Sequence, residues 1–209
     1  MEGLLRPLQP LREAGAELIL VDGGSGDDTP LLAAPLVDRV LQSPAGRGKQ
    51  MNAGARYAAG EVVWFLHADC VATPGHGEAI IASMRNASAA WGRFDIRLSG
   101  RHPLFRVIEF MMNLRSRLSG IATGDQGIFV RRALFQSIGG FAEIPLMEDL
   151  QLSTRLRRQG APLCLRPRLV TSSRRWEEGG ILRTILLMWR LRLAYFLGAD
   201  PHRLARRYG

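Results

Sequence analysis

Cysteine is scarce: Cys70 and Cys164 are the only two in 209 residues. They lie far apart, without a second Cys or a His at metal-ligand spacing, which leaves out a zinc site and a disulfide framework. The expectation is a reduced, cytoplasmic chain. Lysine is scarcer still, since Lys49 stands alone and 27 of the 28 basic residues are arginine. Genome composition can impose such a bias, so the net charge of +9 points to a phosphate-bearing partner without naming one. Aromatic residues make up 7%, and no recognised nucleic-acid-binding motif accompanies the arginines, so nucleic acid is not an expected partner. A long uncharged apolar run is also missing. Arg6, Pro7 and Pro10 break the N-terminal stretch, and Ile181 to Leu197 carries Arg183, Arg190 and Arg192. That last segment reads as an amphipathic helix that docks, dimerises or rests on a membrane surface, with docking or a homodimer the simpler outcome.

What is present is an alternation of short apolar runs with helical periodicity. Residues 17–22 form a buried strand ended by Gly23, Gly24, Ser25 and Gly26, and residues 61–66 form a second. Thr29-Pro30 opens a short helix between them, a brief strand follows near residue 39, and residues 49–59 are helical up to Gly60. Further on, helices are expected over 75–86, 103–118 and 148–159, and strands over 91–98, 127–131 and 163–171. The early order predicts an α/β fold with a mostly parallel sheet flanked by helices. One domain over 1–178 and a C-terminal amphipathic helical extension over 179–209 account for the chain.

Ligands of open parallel sheets sit at the carboxyl ends of strands. Asp22 and His67-Ala68-Asp69 occupy that place on the two clearest strands. A strand-end Asp alone is as well explained by a turn or a helix cap, and Trp91 and Met111-Met112 read more simply as core than as pocket lining. Glu148-Asp149 opens a helix, where acidic residues also complement the dipole.

The combination is more specific than any part. Val21-Asp-Gly-Gly-Ser-Gly-Asp-Asp-Thr29 resembles the V-D-x-x-S-x-D-x-T segment of family 2 glycosyltransferases, with His67-Ala-Asp69 in the place of their D-x-D. Trp91-Gly-Arg-Phe-Asp95, Thr123-Gly-Asp-Gln126, Met147-Glu-Asp149 and Arg174-Arg-Trp176 make the chain similar to the transferases associated with arsenosugar biosynthesis and radical-SAM/selenodomain proteins. The resemblance implies a GT-A fold and sugar transfer from a nucleoside diphosphate sugar to a small-molecule or lipid-linked acceptor, with Mg or Mn and inversion. By position, Asp69 would hold the metal. Asp22, Arg47, Asn52, His67, Asp69, Arg175 and Trp176 would contact the nucleotide sugar, and Asp27 would act as a cap or as indirect support. Asp125 and Gln126 would face the acceptor, Asp149 would be the general base and Glu148 its neighbour. The chain opens inside a helix, without the P-x-x-N-E-like first strand of the family. His67 replaces an aspartate, which lowers negative charge at the metal. Ser172 stands where processive members have Gln. Two rivals are a nucleotidyltransferase, disfavoured by the absence of a glycine-rich, lysine-containing triphosphate loop, and a basic nucleic-acid-binding module.

Overall fold

The computed structural model describes residues 2–86 and 89–208. The outer ends of the two expected domains, Met1 and Gly209, lie outside the described residues. Two short helices, α1 (Glu2–Leu5) and α2 (Gln9–Glu13), lead into β1 (Ile19–Asp22), which pairs in parallel with β2 (Arg39–Gln42). The connection runs through α3 (Thr29–Ala33), as a parallel crossover requires. Helix α4 (Arg47–Tyr57) then packs back on β1, and Gly54 permits the approach, since a Cβ there would stand 3.1 Å from Val21 Cγ2.

A second sheet runs in the order β3 (Val62–Trp64), β6 (Phe129–Arg131), β5 (Trp91–Leu98), β7 (Leu163–Thr171), β4 (Cys70–Val71). Only β5 and β7 are parallel here, with a bulge between Phe94 and Asp95; the other three pairs are antiparallel. The α/β expectation holds, and the mostly parallel sheet is corrected to a mixed one. Strand–helix alternation ends with the first two strands, and the chain re-enters β6 through a turn in which Gly127 takes φ 57°. Among the described residues, β1 pairs with β2 alone and β3 with β6 alone, so each keeps one edge without a strand.

The sheet separates two cores by the alternation of side chains. On β6, Val130 joins Phe65, Trp91, Phe135, Leu152 and Leu156 on one face, while Phe129 joins Phe94, Leu169, Ile80 and Met84 on the other. Trp91 is core, as expected, and its indole N–H donates to the Gly160 carbonyl. The first face carries α8 (Glu148–Arg157) and the second α5 (Pro74–Asn86). Helices α6 (Pro103–Ser119) and α7 (Arg132–Ser137) flank the sheet. The C-terminal segment forms α9 (Arg174–Gly179), α10 (Ile181–Phe196) and α11 (Pro201–Tyr208). Leu191 and Leu204 pack with Ile121, Leu146, Met147 and Leu150, which docks one face of α10 and α11 on the body.

Burial sets the chemistry of the two free thiols apart. Cys70 is buried, and that burial, with Asp125 and Asp69 nearby, pushes its pKa up to about 12, whereas Cys164 is half-buried. Iodoacetamide on the native protein at neutral pH is expected to alkylate Cys164 and spare Cys70, with both modified after denaturation, as peptide mass mapping would read. Equal native labelling would contradict this packing.

Candidate functional site

The loop after β3 carries His67 and Asp69, and the turn at 124–126 brings Asp125 against them. One ligand atom from each of the three lies within 4.8 Å of the others. His67 Nδ1 is 3.6 Å from Asp125 Oδ1, and its Nε2 is buried without a hydrogen-bond partner among the described residues. An imidazole and two carboxylates whose ligand atoms gather this closely fit a divalent cation. Asp69 is exposed, so this corner opens to a ligand.

A second group of charges meets the first through one residue. The Gly124 N–H donates to Asp149 Oδ2 at 2.8 Å, and the Leu150 N–H donates to Asp149 Oδ1 at 2.7 Å. These bonds fix the half-buried carboxylate in plane and leave each oxygen a free lone pair. Asp149 enters α8 from Met147, which takes φ 71° and is the only non-glycine residue at positive φ among those described. Such a conformation costs of order 1–3 kcal/mol and persists only where packing over-determines it. Met147 is 6% exposed within the cluster that binds α8 to α10, so burial supplies the constraint.

Glu148 is 3% exposed. Burial, with the Asp149 carboxylate second, pushes its pKa up to about 7. Arg47, at the start of α4, is held more firmly charged than an ordinary arginine. Partial burial works against its charge, but Glu148, Asp125 and Asp149 outweigh that cost.

Over residues 4–139 the chain matches the family described as Glycosyl transferase family 2, which is more than half its length. The chain belongs to glycosyltransferase family 2. An uncharacterised glycosyltransferase of Mycobacterium tuberculosis, Rv1514c, is 29% identical over 154 residues, covering 68% of this chain and 58% of the relative. The chain thus spans a little over half the length of that curated relative. Staphylococcus aureus TarS (residues 1–349) superposes with a TM-score of 0.64 at 20% identity, over 82% of this chain and 57% of that one. Glucosyl-3-phosphoglycerate synthase of M. tuberculosis, solved with Mn2+, uridine diphosphate and glucosyl-3-phosphoglycerate, gives 0.63 at 20% identity, over 88% and 71%. At these identities the structures establish the GT-A fold.

Several residues expected to touch ligand in this family 2 chain are engaged elsewhere. Asn52 is corrected to a structural clasp: its Nδ2 donates to the Phe141 carbonyl at 2.9 Å and its Oδ1 accepts from the Phe141 N–H at 2.8 Å, which uses both ends of the amide. Gln126 is fully buried, and its Oε1 accepts from the Thr123 N–H, closing the turn instead of facing an acceptor. Arg175 stacks 3.6 Å over the Tyr208 ring and donates to the Tyr208 carbonyl, so it anchors α11. Trp176 packs on Ile96, Leu98, Phe105 and Ile108. Asp22 is 5% exposed and accepts from the Ser25 hydroxyl and the Gly24 and Ser25 N–H groups, which hold its carboxyl below the usual range. Asp27 accepts from the Thr29 N–H, one residue ahead of Asp28, the N-cap of α3.

Two arginines were not singled out as site residues. Arg192 on α10 loses basicity to burial, although Asp149 and Asp125 act to hold its charge. Arg115 on α6 is pulled down to about 10 by burial, with the Arg192 charge next, and its Nε and one Nη have no partner among the described residues. Arg192 shares the helical phase of Ile185 and Met188, and an arginine on the apolar side of an amphipathic helix is the signal that could have found it.

A pH test follows from Glu148. Its folded pKa near 7 stands above the ordinary 4.5, so the native state holds the extra proton, and stability is fully present below about pH 4.5 and falls as pH rises through about 7. Urea unfolding across that window is expected to show the wild type losing up to about 3 kcal/mol relative to Glu148→Gln. Parallel curves for the two proteins would exclude this account of Glu148.

Proposed function

We propose that this chain transfers a sugar from a nucleoside diphosphate sugar to a small-molecule or lipid-linked acceptor, with inversion and with a divalent cation. One observation carries the reading: Gly124 holds Asp149 through its N–H while the next residue, Asp125, stands with His67 and Asp69. A donor-side charge sink and an acceptor-side base need to sit on either side of the anomeric carbon, and consecutive residues of one turn join the two sets here. A cation held by His67, Asp69 and Asp125 would neutralise the charge that develops on the diphosphate leaving group.

The chain's own groups do the rest. Asp149, oriented by two backbone donors, accepts the proton of the acceptor hydroxyl as that oxygen attacks. Glu148 sits behind it and raises the local negative charge whenever it ionises. Arg47, Arg115 and Arg192 supply guanidinium charge for a diphosphate or an anionic acceptor, and forked donors match phosphate oxygens. Asp22 supports the nucleotide base through its turn. The resemblance of the strings at 91–95, 123–126 and 147–149 to arsenosugar-associated transferases supports a small acceptor.

His67 favours Mn2+ over Mg2+, because imidazole suits the softer ion. Gly124 keeps the His67 ring in place, since a Cβ at that position would run into the ring. Gly124→Ala is therefore expected to weaken Mn2+ binding roughly tenfold or more, read by electron paramagnetic resonance of free Mn2+, with the circular dichroism of the fold retained. Unchanged Mn2+ affinity would remove His67 from the metal set.

A donor screen with Mn2+ and Mg2+ tests the function itself. Asp149→Asn is expected to keep nucleoside diphosphate sugar binding while its turnover falls by about 10² or more. No binding of any nucleotide sugar by the wild-type protein with either metal would refute the proposal, and full turnover by Asp149→Asn would refute the assigned base.

A further inference from the structure

An amphipathic helix normally hides its apolar stripe, yet α6 and α10 leave one exposed. On α6, Leu104, Val107, Met111, Leu114 and Leu118 recur at helical spacing on the solvent side. On α10, Leu182, Leu186, Trp189, Leu193 and Phe196 do the same, with Leu186 61% and Trp189 67% exposed. The buried seam between the helices gathers Phe105, Ile108 and Met112 of α6 with Ile181 and Ile185 of α10. Their first halves meet there, and Ile121, just past the end of α6, packs in one cluster with Leu191 in the second half of α10, so α6 and α10 run in the same direction. At about 100° per residue, each stripe stands roughly a quarter turn from the seam, in opposite senses on the two helices. The two stripes therefore open to one side and form one face.

Charge selects what covers that face. Between them α6 and α10 contain a single carboxylate, Glu109, which is buried and paired with Arg106. Arg183 and Arg190 are exposed along the border of the α10 stripe. A second copy of the chain would set arginine against arginine, with no exposed acid on either helix to meet them. A bilayer rich in anionic phospholipid offers hydrocarbon to the stripe and phosphate to the guanidinium groups. Among the described residues no helix is long and apolar enough to cross a membrane, which leaves a surface orientation.

We propose that α6 and α10 form a docking face for an anionic phospholipid surface, with Leu186, Trp189 and Leu193 entering the acyl boundary and Arg183 and Arg190 at the headgroups. On its other side the same α10 packs Leu191 with Met147 and Leu150, the residues that flank Glu148 and Asp149. A lipid-linked acceptor held in that surface reaches the site along this helix, a consequence that rests on the transferase reading, whereas lipid binding does not.

Co-sedimentation of the full chain with vesicles tests the face without any measurement of activity. Binding is expected to vesicles of phosphatidylcholine with an equal share of phosphatidylglycerol, and to be largely lost with phosphatidylcholine alone or at high salt. Leu186→Glu with Trp189→Glu should lower partitioning about tenfold or more while the thermal midpoint stays within a few degrees, because both side chains are exposed. Arg183→Ser and Arg190→Ser should each lower it roughly fivefold and flatten the salt dependence. Absence of sedimentation with the mixed vesicles, or equal sedimentation of wild type and the double Glu variant, would overturn the proposal. So would a dimer mass by light scattering that the double Glu variant reduces to the monomer, since a second copy would then occupy the face.

Discussion

The hydrogen bond from the Gly124 N–H to the Asp149 carboxylate is the joint on which the site depends. Gly124 precedes Asp125, so the turn that orients the carboxylate on α8 also fixes the one that stands with His67 and Asp69. The turn holds its own shape because the Thr123 N–H donates to Gln126 Oε1, the Gln126 N–H donates to the Thr123 carbonyl and Gly127 takes the left-handed conformation at its end. Its glycine is required for space as well, because the His67 ring occupies the place of a Cβ. Loss of any of these contacts would move both halves of the site together. Strain at Met147 completes the arrangement, and the packing of α8 on α10 maintains it.

The carboxylates and arginines of the site balance one another without close pairing. Among the described residues the close arginine–carboxylate pairs of the chain, such as Arg12–Asp38 and Arg117–Asp95, lie elsewhere. Arg47, Arg115 and Arg192 act on Asp149, Asp125 or Glu148 at longer range. The half-buried Arg115, whose Nε and one Nη have no partner among the described residues, is poised for an external anion, because a phosphate then meets donors that give up no existing partner. The raised pKa of Glu148, about 7, belongs to the same balance: burial first, and the adjacent Asp149 carboxylate second, make its ionisation costly.

Long, periodic segments were legible in the sequence nearly to the residue. Strands β5 and β7 and helix α6 follow the expected 91–98, 163–171 and 103–118 closely, since their apolar periods run over many residues. Sheet direction was not legible, because a period of two is the same in parallel and antiparallel strands. The short elements α7, α9 and α11 carry too few residues to show a period. Asp69 and Asp149 stood out at a strand end and a helix start. The places of Asn52 after the basic loop, of Gln126 before a strand and of Arg175 in the Arg-Trp string point to ligand in the sequence, whereas their side chains bond Phe141, Thr123 and Tyr208. Such partners are tens of residues away for Asn52 and Arg175, so sequence spacing gave no warning.

Helix α10 shows why the arginine content cannot be read as a single property. Arg192 lies on the docked side, where burial lowers its basicity and Asp149 and Asp125 restore part of it. Arg183 and Arg190 lie in water at the edge of an apolar stripe. The inner residue would be costly to bury as an ammonium, which is compact and strongly hydrated, whereas the broader guanidinium sheds water more readily. The outer pair can lay their apolar stems along the stripe and keep their charge at its rim. Of the 28 basic residues, Arg192 is thus held near the carboxylates of the site, whereas Arg183 and Arg190 are presented beside exposed hydrocarbon. Arg192 and the outer pair stand on opposite sides of one helix, about one helix diameter apart, roughly 10 Å, so an anion bound at the site and an anionic surface outside it would be served by different residues.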